Sequence, residues 1–342
     1  MAKRNTVLLI YTGGTIGMVQ DVQSGTLVPF DFEHLLLQVP ELKKFNINIE
    51  VVPFTPAIDS SNMHPCIWEK LCKIINENYH KVDGFVILHG SDTMAFTASA
   101  LSFMLHNLSK PVILTGSQLP IGTIRTDGKE NLITAIEIAA TKKNGKSIVS
   151  EVCIYFEYKL YRGNRTHKFN AEHFDAFHSP NYRYLAKAGV YIDYNFEALK
   201  KPSKEKFFIK TKLDNSVAVL TLFPGISLHL VEAVLSNKFI KAIVLLTFGS
   251  GNAPNDAQFI SLLKNAIKNG KIIYNVTQCN AGSVIQGRYE TSEQLQEIGI
   301  VAGADITTEA AITKLMYLLG NYKSTTTIKQ LLQQNIAGEL SN

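Results

Sequence analysis

Two short apolar runs, Val7 to Tyr11 and Phe85 to Leu88, each run into a turn of glycines and hydroxyls, and this repeated pattern constrains the chain more than any other feature. Each run is rich in β-forming residues and short enough to be a buried strand. The first turn reads Thr12-Gly13-Gly14-Thr15-Ile16-Gly17. The second reads His89-Gly90-Ser91-Asp92-Thr93-Met94 and leads into Thr93 to Leu105, an apolar-rich stretch that predicts a helix. Gly13 and Gly14 permit positive φ and let a small polar ligand lie against backbone without meeting a Cβ. Loops at the carboxyl ends of strands in an open α/β sheet converge on one crevice. Thr15 and Ser91 are therefore expected to face a common site. Taken singly, each turn has a plainer reading: Ser91 or Asp92 as a helix N-cap, Thr15 as a turn residue.

The rest of the chain alternates in the same way. Pro65 opens a helical pattern with Ile67, Leu71, Ile74 and Ile75 on one face. Strands are expected at Glu50 to Phe54, Gly84 to Leu88, Pro111 to Thr115 and Ile148 to Phe156, with a helix from Asn131 to Thr141. The charge-rich stretch Asn195 to Lys212, with Pro202 inside it, interrupts the rhythm. A second unit then places strands at Val217 to Leu222, Lys241 to Thr247 and Lys271 to Val276, and helices near Ser227 to Leu235 and Asp256 to Asn269. A last helix, from about Thr308 to Leu319, is expected to end at Gly320. At 342 residues the chain suits two domains. The expected boundaries are 1–190, a linker at 191–212, and 213–342. The fold class is α/β: two three-layer domains, the larger N-terminal one with a mainly parallel sheet and the smaller C-terminal one Rossmann-like.

Several classes of function are excluded. A hydrophobic content of 46% with 18% charged residues describes a globular chain. The formal charge of +5 is modest and scattered, so no nucleic-acid partner is expected. No apolar stretch approaches a membrane span, and Val7 to Tyr11 is too short for a signal segment, which makes a cytoplasmic location the expectation. Cys66, Cys72, Cys153 and Cys279 lack CxxC pairing and metal-ligand spacing. The first turn lacks the Lys-Ser/Thr of a phosphate loop, and Gly249-Ser250-Gly251 lacks the third glycine of a dinucleotide fingerprint. No metal or nucleotide cofactor is expected. His89 reads as a packed structural residue.

Together with Asp59-Ser60-Ser61, Thr115-Gly116-Ser117-Gln118, Tyr161-Arg162-Gly163-Asn164-Arg165-Thr166-His167-Lys168 and Phe248-Gly249-Ser250-Gly251-Asn252-Ala253-Pro254, the two turns resemble the L-asparaginases, specifically their intracellular type I branch. The resemblance covers nearly the whole chain, in order and at similar spacing. It implies hydrolysis of L-asparagine to L-aspartate and ammonia without a cofactor, with weak glutaminase activity beside it. By the same resemblance, Thr15 is the acylated nucleophile, while Ser91, Asp92 and Lys168 form the group that handles its protons. Asp59, Ser60 and Ser61 hold the amino-acid end of the substrate, and the Ser117 carbonyl receives the side-chain amide. Asn252 reaches the site of a neighbouring subunit, implying a homodimer or homotetramer with sites completed between copies.

This sequence departs from the family pattern in three places. Ser91 stands where the family has a threonine, keeping the hydroxyl and losing the methyl that stiffens χ1. The loop after Gly17 runs Ser24-Gly25-Thr26-Leu27-Val28-Pro29 and has no tyrosine to contact the nucleophile. His167 and Thr247 occupy positions where cooperative bacterial members have a threonine and an arginine. Losing the arginine removes a bidentate carboxylate partner, so activation by asparagine at a second site is not expected. The rival readings are an amino-acid-binding regulator that has lost turnover, and an ammonia-generating transamidation subunit, for which an extra N-terminal domain is expected.

Overall fold

The computed structural model describes residues 4–20, 27–29, 39–287 and 290–341. They form two compact units, residues 1–179 with 183–211, and residues 180–182 with 212–342.

In the first unit, five strands run parallel: β1 (Asn5–Tyr11), β2 (Ile47–Pro53), β3 (Gly84–Leu88), β4 (Val112–Thr115) and β5 (Val152–Phe156). Three antiparallel strands, β6 (Lys159–Arg162), β7 (Ala186–Ala188) and β8 (Ile192–Tyr194), extend one side. The order across the sheet is β8-β7-β6-β5-β4-β3-β1-β2. Every residue of β3, β4 and β5 is buried, so both faces are covered and the strands read as unbroken apolar runs. The covering helices are α1 (Pro65–Asn78), α2 (Met94–Met104) and α3 (Gly128–Ala140); α2 packs on β5 and α3 on β1, β3, β4 and β5. In register, Tyr11 pairs with Leu88 and Leu88 with Thr115. The turns after β1, β3 and β4 therefore leave the sheet side by side.

In the second unit, β9 (Val217–Thr221), β10 (Ala242–Thr247), β11 (Ile272–Thr277) and β12 (Val301–Ala302) form a wholly parallel sheet in chain order. Helices α4 (Leu228–Ser236), α5 (Ala257–Lys268), α6 (Glu290–Glu297), α7 (Thr308–Asn321) and α8 (Thr325–Leu332) accompany it. Leu220, Val231, Ile243, Leu245, Phe259, Leu263 and Ile273 share its apolar core.

Four expectations need correction. Residues 191–212 are not a free linker: β8 lies in the sheet, and Phe208–Ile209 pairs with Leu105–His106. Their apolar side chains and backbone bind them to the first unit. The strand expected from Ile148 begins only at Val152. Just before it, the Glu151 carboxylate takes Arg162 Nε at 2.5 Å and the Lys200 N–H at 2.7 Å. Helix α3 starts at Gly128, three residues ahead of the expected Asn131. Gly320 lies inside α7 and does not cap it. A Cβ there would come within 2.6 Å of the Lys212 carbonyl oxygen, so close chain approach explains the glycine.

Candidate active site

The turn after β1 begins with two bonds to the neighbouring strand. Thr12 donates its N–H and its hydroxyl to the Leu88 carbonyl, at 3.0 and 2.8 Å. Gly14 then adopts φ +93°, and a Cβ at that position would come within 2.5 Å of the Gly90 backbone. Glycine is thus required twice over, by conformation and by the closeness of the second turn. Thr15 opens a 3₁₀ turn, Thr15–Gly17, and is partly exposed. Tyr11 donates its hydroxyl to the Gly17 carbonyl at 3.1 Å and closes the turn; burial pushes its own pKa up to about 12.

The second turn is held from below by His89, which is fully buried. Its Nδ1 lies 2.6 Å from the Gly90 carbonyl oxygen and its Nε2 2.8 Å from Thr97 Oγ1. A carbonyl only accepts, so Nδ1 carries the proton and Nε2 accepts from the threonine. Burial pushes the His89 pKa down to about 4, against the raising effect of the Gly90 bond. This imidazole is a neutral brace for the turn. Ser91 begins a 3₁₀ turn that runs into α2, and neither Ser91 nor Asp92 caps the helix with its side chain. Their side chains go elsewhere.

Lys168 Nζ lies 2.9 Å from Ser91 Oγ and 2.6 Å from Asp92 Oδ1. The lysine side chain is 17% exposed and the aspartate 64%. Lys168 is delivered by a segment that is buried despite its charges. Arg162, Asn164, Arg165 and Thr166 are all under 10% exposed, and Arg162 pairs with buried Glu151. A Cβ on Gly163 would lie 2.8 Å from Ala98 Cβ, showing how tightly this segment packs on α2. The basic run is anchored packing, not a solvated face. Asn164-Arg165-Thr166 also fits a glycosylation sequon, and burial of Asn164 leaves it without an accessible acceptor.

The loop with Asp59, Ser60 and Ser61 joins the same group. Ser60 is buried; a Cβ on Gly90 would come within 2.5 Å of its Oγ, and Thr93 donates to its carbonyl at 2.7 Å. Asp59 Oδ1 accepts from the Ser61 N–H and hydroxyl at 2.9 and 2.8 Å, closing an Asp-Ser turn. Ser117 follows β4, and its Cβ lies 3.2 Å from where a Cβ on Gly128 would sit, as does Ile16 Cγ1. Thr15, Asp59, Ser60, Ser61, Ser91, Asp92 and Ser117 thus lie on packed turns of one unit, and Lys168 reaches them from the short strand His167–Lys168.

Asn252 belongs to the second unit. Its backbone pairs with Phe248 in both directions, at 2.9 and 2.8 Å, closing the turn that carries it. Thr26 lies outside the described residues. Sequence reasoning missed the parts played by Gln118 and Asp127. Gln118 Oε1 accepts from Ser91 Oγ at 3.2 Å, and the Asp127 carboxylate accepts the Gln118 N–H at 2.9 Å. Burial raises the Asp127 pKa against those bonds. The signal was an Asp-Gly pair ahead of a helix, which marks a cap without saying what it binds.

Among the described residues, no group of His, Cys, Asp and Glu is arranged to hold a metal ion, and no helix is long and apolar enough to cross a membrane.

The family model for the asparaginase N-terminal domain matches residues 6–200, and that for the glutaminase/asparaginase C-terminal domain matches residues 216–332. The chain is 40% identical to L-asparaginase 1 of Escherichia coli (strain K12) over 99% of both chains. It is 38% identical to the 60 kDa lysophospholipase of Mus musculus, covering all of this chain and 63% of that protein. The crystal structure of L-asparaginase I from Vibrio cholerae superposes with a TM-score of 0.90 at 39% identity, over 99% of this chain and 100% of that one. The chain belongs to the asparaginase family, and within it to the type I L-asparaginases. It is an amidohydrolase of the asparaginase type.

Proposed function

We propose that the protein hydrolyses L-asparagine to L-aspartate and ammonia through a β-aspartyl ester on Thr15. The observation that carries this reading is the Lys168 amine placed between the Ser91 hydroxyl and the Asp92 carboxylate, on a turn packed against the Thr15 turn. A threonine hydroxyl is a weak nucleophile at neutral pH and needs a base. In its neutral form, Lys168 accepts a proton through the Ser91 hydroxyl. The Thr15 oxygen then bonds to the side-chain carbonyl carbon, and the proton passes to the departing nitrogen, which leaves as ammonia. Water then loses a proton to Lys168 through Ser91 as it attacks the ester carbon, and that proton passes to the Thr15 oxygen as the ester bond breaks and aspartate leaves. Asp92 holds the lysine in place and takes the substrate's α-ammonium. Asp59, Ser60 and Ser61 hold the amino-acid end, and the Ser117 carbonyl accepts from the amide. A homodimer or homotetramer in which Asn252 completes a neighbour's site is part of the proposal. So is a cytoplasmic setting, supported by four free cysteines, and weak activity on glutamine.

The test is ammonia release over a wide range of L-asparagine concentrations, beside a Thr15→Ala preparation. Saturating turnover that vanishes in the variant is expected. Binding of asparagine with no ammonia released would favour the regulator reading instead.

A further inference from the structure

We infer that Gln118 is a positioning residue for the Ser91–Lys168 couple: its amide holds the Ser91 hydroxyl in one rotamer, a restraint that a β-methyl on residue 91 would otherwise supply. The inference rests on the reading that this couple moves protons during hydrolysis.

Serine is free to occupy any of three χ1 wells, whereas a β-branched residue is restricted by its second substituent. Something else must fix the oxygen at position 91. Gln118 is itself fixed at both ends. Its N–H is bound by Asp127, which also takes the Leu119 N–H at 3.2 Å and Asn131 Nδ2 at 3.2 Å. At the far end, Gln118 Nε2 donates to the carbonyls of Ala171 and His173, at 3.0 Å each. Carbonyls only accept, so both amide protons are committed there and the amide cannot flip without setting oxygen against oxygen. Oε1 therefore faces Ser91 as an acceptor, and Ser91 must donate to it.

A hydroxyl has one proton and two lone pairs. In Ser91 the proton goes to Gln118 and one lone pair takes the Lys168 N–H, which sets the oxygen's orientation. The bond to Gln118, at 3.2 Å, is long for an O–H donor. Its release costs little when the hydroxyl swings to give its proton to a neutral Lys168. Gln118 thus fixes where the oxygen sits while leaving its proton transferable.

The experiment is a double-mutant cycle of Gln118→Leu with Ser91→Thr, read by steady-state ammonia release. Gln118→Leu is expected to lower kcat about tenfold with KM changed less than about threefold. In the Ser91→Thr background the same change is expected to cost less than about twofold, because the β-methyl now restrains χ1. Gln118→Glu keeps an acceptor for Ser91 but sets a carboxylate oxygen against two carbonyls. It is expected to lose as much as Gln118→Leu and to be rescued by Ser91→Thr, so a folding failure of either variant leaves the other to decide. Equal losses in both backgrounds, or no loss in the original one, would overturn the inference while leaving the asparaginase reading intact. An unmodified protein that releases no ammonia overturns that reading, and the inference with it.

Discussion

The loops at the carboxyl ends of the parallel strands in the two main sheets use the same residue types for different purposes. At the ends of β10 and β11, Thr247, Asn275, Thr277 and Gln278 are spent on structure. Thr247 donates to Asn275 at 2.6 Å, Asn275 donates to the Gly251 carbonyl at 3.1 Å, and Thr277 donates to the Gly249 carbonyl at 2.6 Å. Gln278 bonds the carbonyls of Leu222 and Leu246. In the first unit, Thr12, His89, Asp127 and Asn131 do the same work, but Ser91, Asp92 and Lys168 bond to one another through groups that can give and take protons. A strand end becomes a reactive site when its scaffold is satisfied by other residues, leaving titratable groups to meet. Sheet topology provides the place and not the chemistry.

The sharpest way to break this comparison is to remove the amine. Lys168→Met is expected to lower kcat about ten-thousandfold, near the top of the range for a proton-transfer group, with about 1 kcal/mol or less of change in stability, since its partner Asp92 is largely exposed. A modest kinetic loss would show that the couple does not carry the proton. The second unit has its own lysine–carboxylate pair with the opposite assignment. Lys314 and Glu339 meet at 2.6 Å with both side chains fully buried. Lys314 also donates to the Leu332 and Gln334 carbonyls, and Glu339 accepts the N–H groups of Ile336 and Ala337. Burial lowers the Lys314 pKa. Glu339→Ala strands this ammonium and is expected to cost about 3–5 kcal/mol in urea unfolding, while kcat per folded molecule stays within about twofold.

Acid sharpens the contrast further. The His89 pKa is about 4 in the fold, against 6.5 when unperturbed, because burial disfavours its charge. Burial also pushes His106 down to about 4, aided by Lys210 and Lys200. With both folded values depressed, the unfolded chain binds more protons between pH 6.5 and 4, so stability falls as pH drops through that window and levels off below it. For fully buried His89 the loss is roughly 2 kcal/mol by pH 5. Hydrogen exchange, corrected for intrinsic rates, is expected to show β3 losing protection between pH 6.5 and 5 ahead of β10. Equal losses in both strands would remove His89 as the cause.

The mainly parallel character of the first sheet and the convergence of two hydroxyl turns were legible in the sequence because each rests on a local pattern, a short apolar run followed by glycine and a hydroxyl. The order of the strands was not, since it is set by contacts distant in the chain. Lys168 was legible only by resemblance, since Arg162 and Arg165 beside it look like a solvated surface. Their burial depends on Glu151 and on packing against Ala98, contacts far apart in the chain. Gln118 and Asp127 were missed for the same reason, because an amide that bridges residues 91, 171 and 173 leaves no periodic trace. Gly320 reads as a helix cap locally, and only the nearness of Lys212 shows otherwise.

The smallest predicted effect tests the second sheet most directly. The Thr277 hydroxyl donates to the Gly249 carbonyl and accepts the Cys279 N–H at 3.0 Å, so it braces two turns at once. If its role is wholly structural, Thr277→Val keeps the shape, forfeits those two bonds and costs about 1–2 kcal/mol in urea unfolding, with kcat and KM within about twofold. Ser91→Ala is the matching change in the first unit, and there the expected order is reversed: a large loss in kcat and little in stability. Should Thr277→Val cut turnover as deeply as Ser91→Ala, a hydroxyl bonded only to backbone would matter as much as one bonded to Lys168, and the distinction between scaffold and chemistry at the two strand ends would fail.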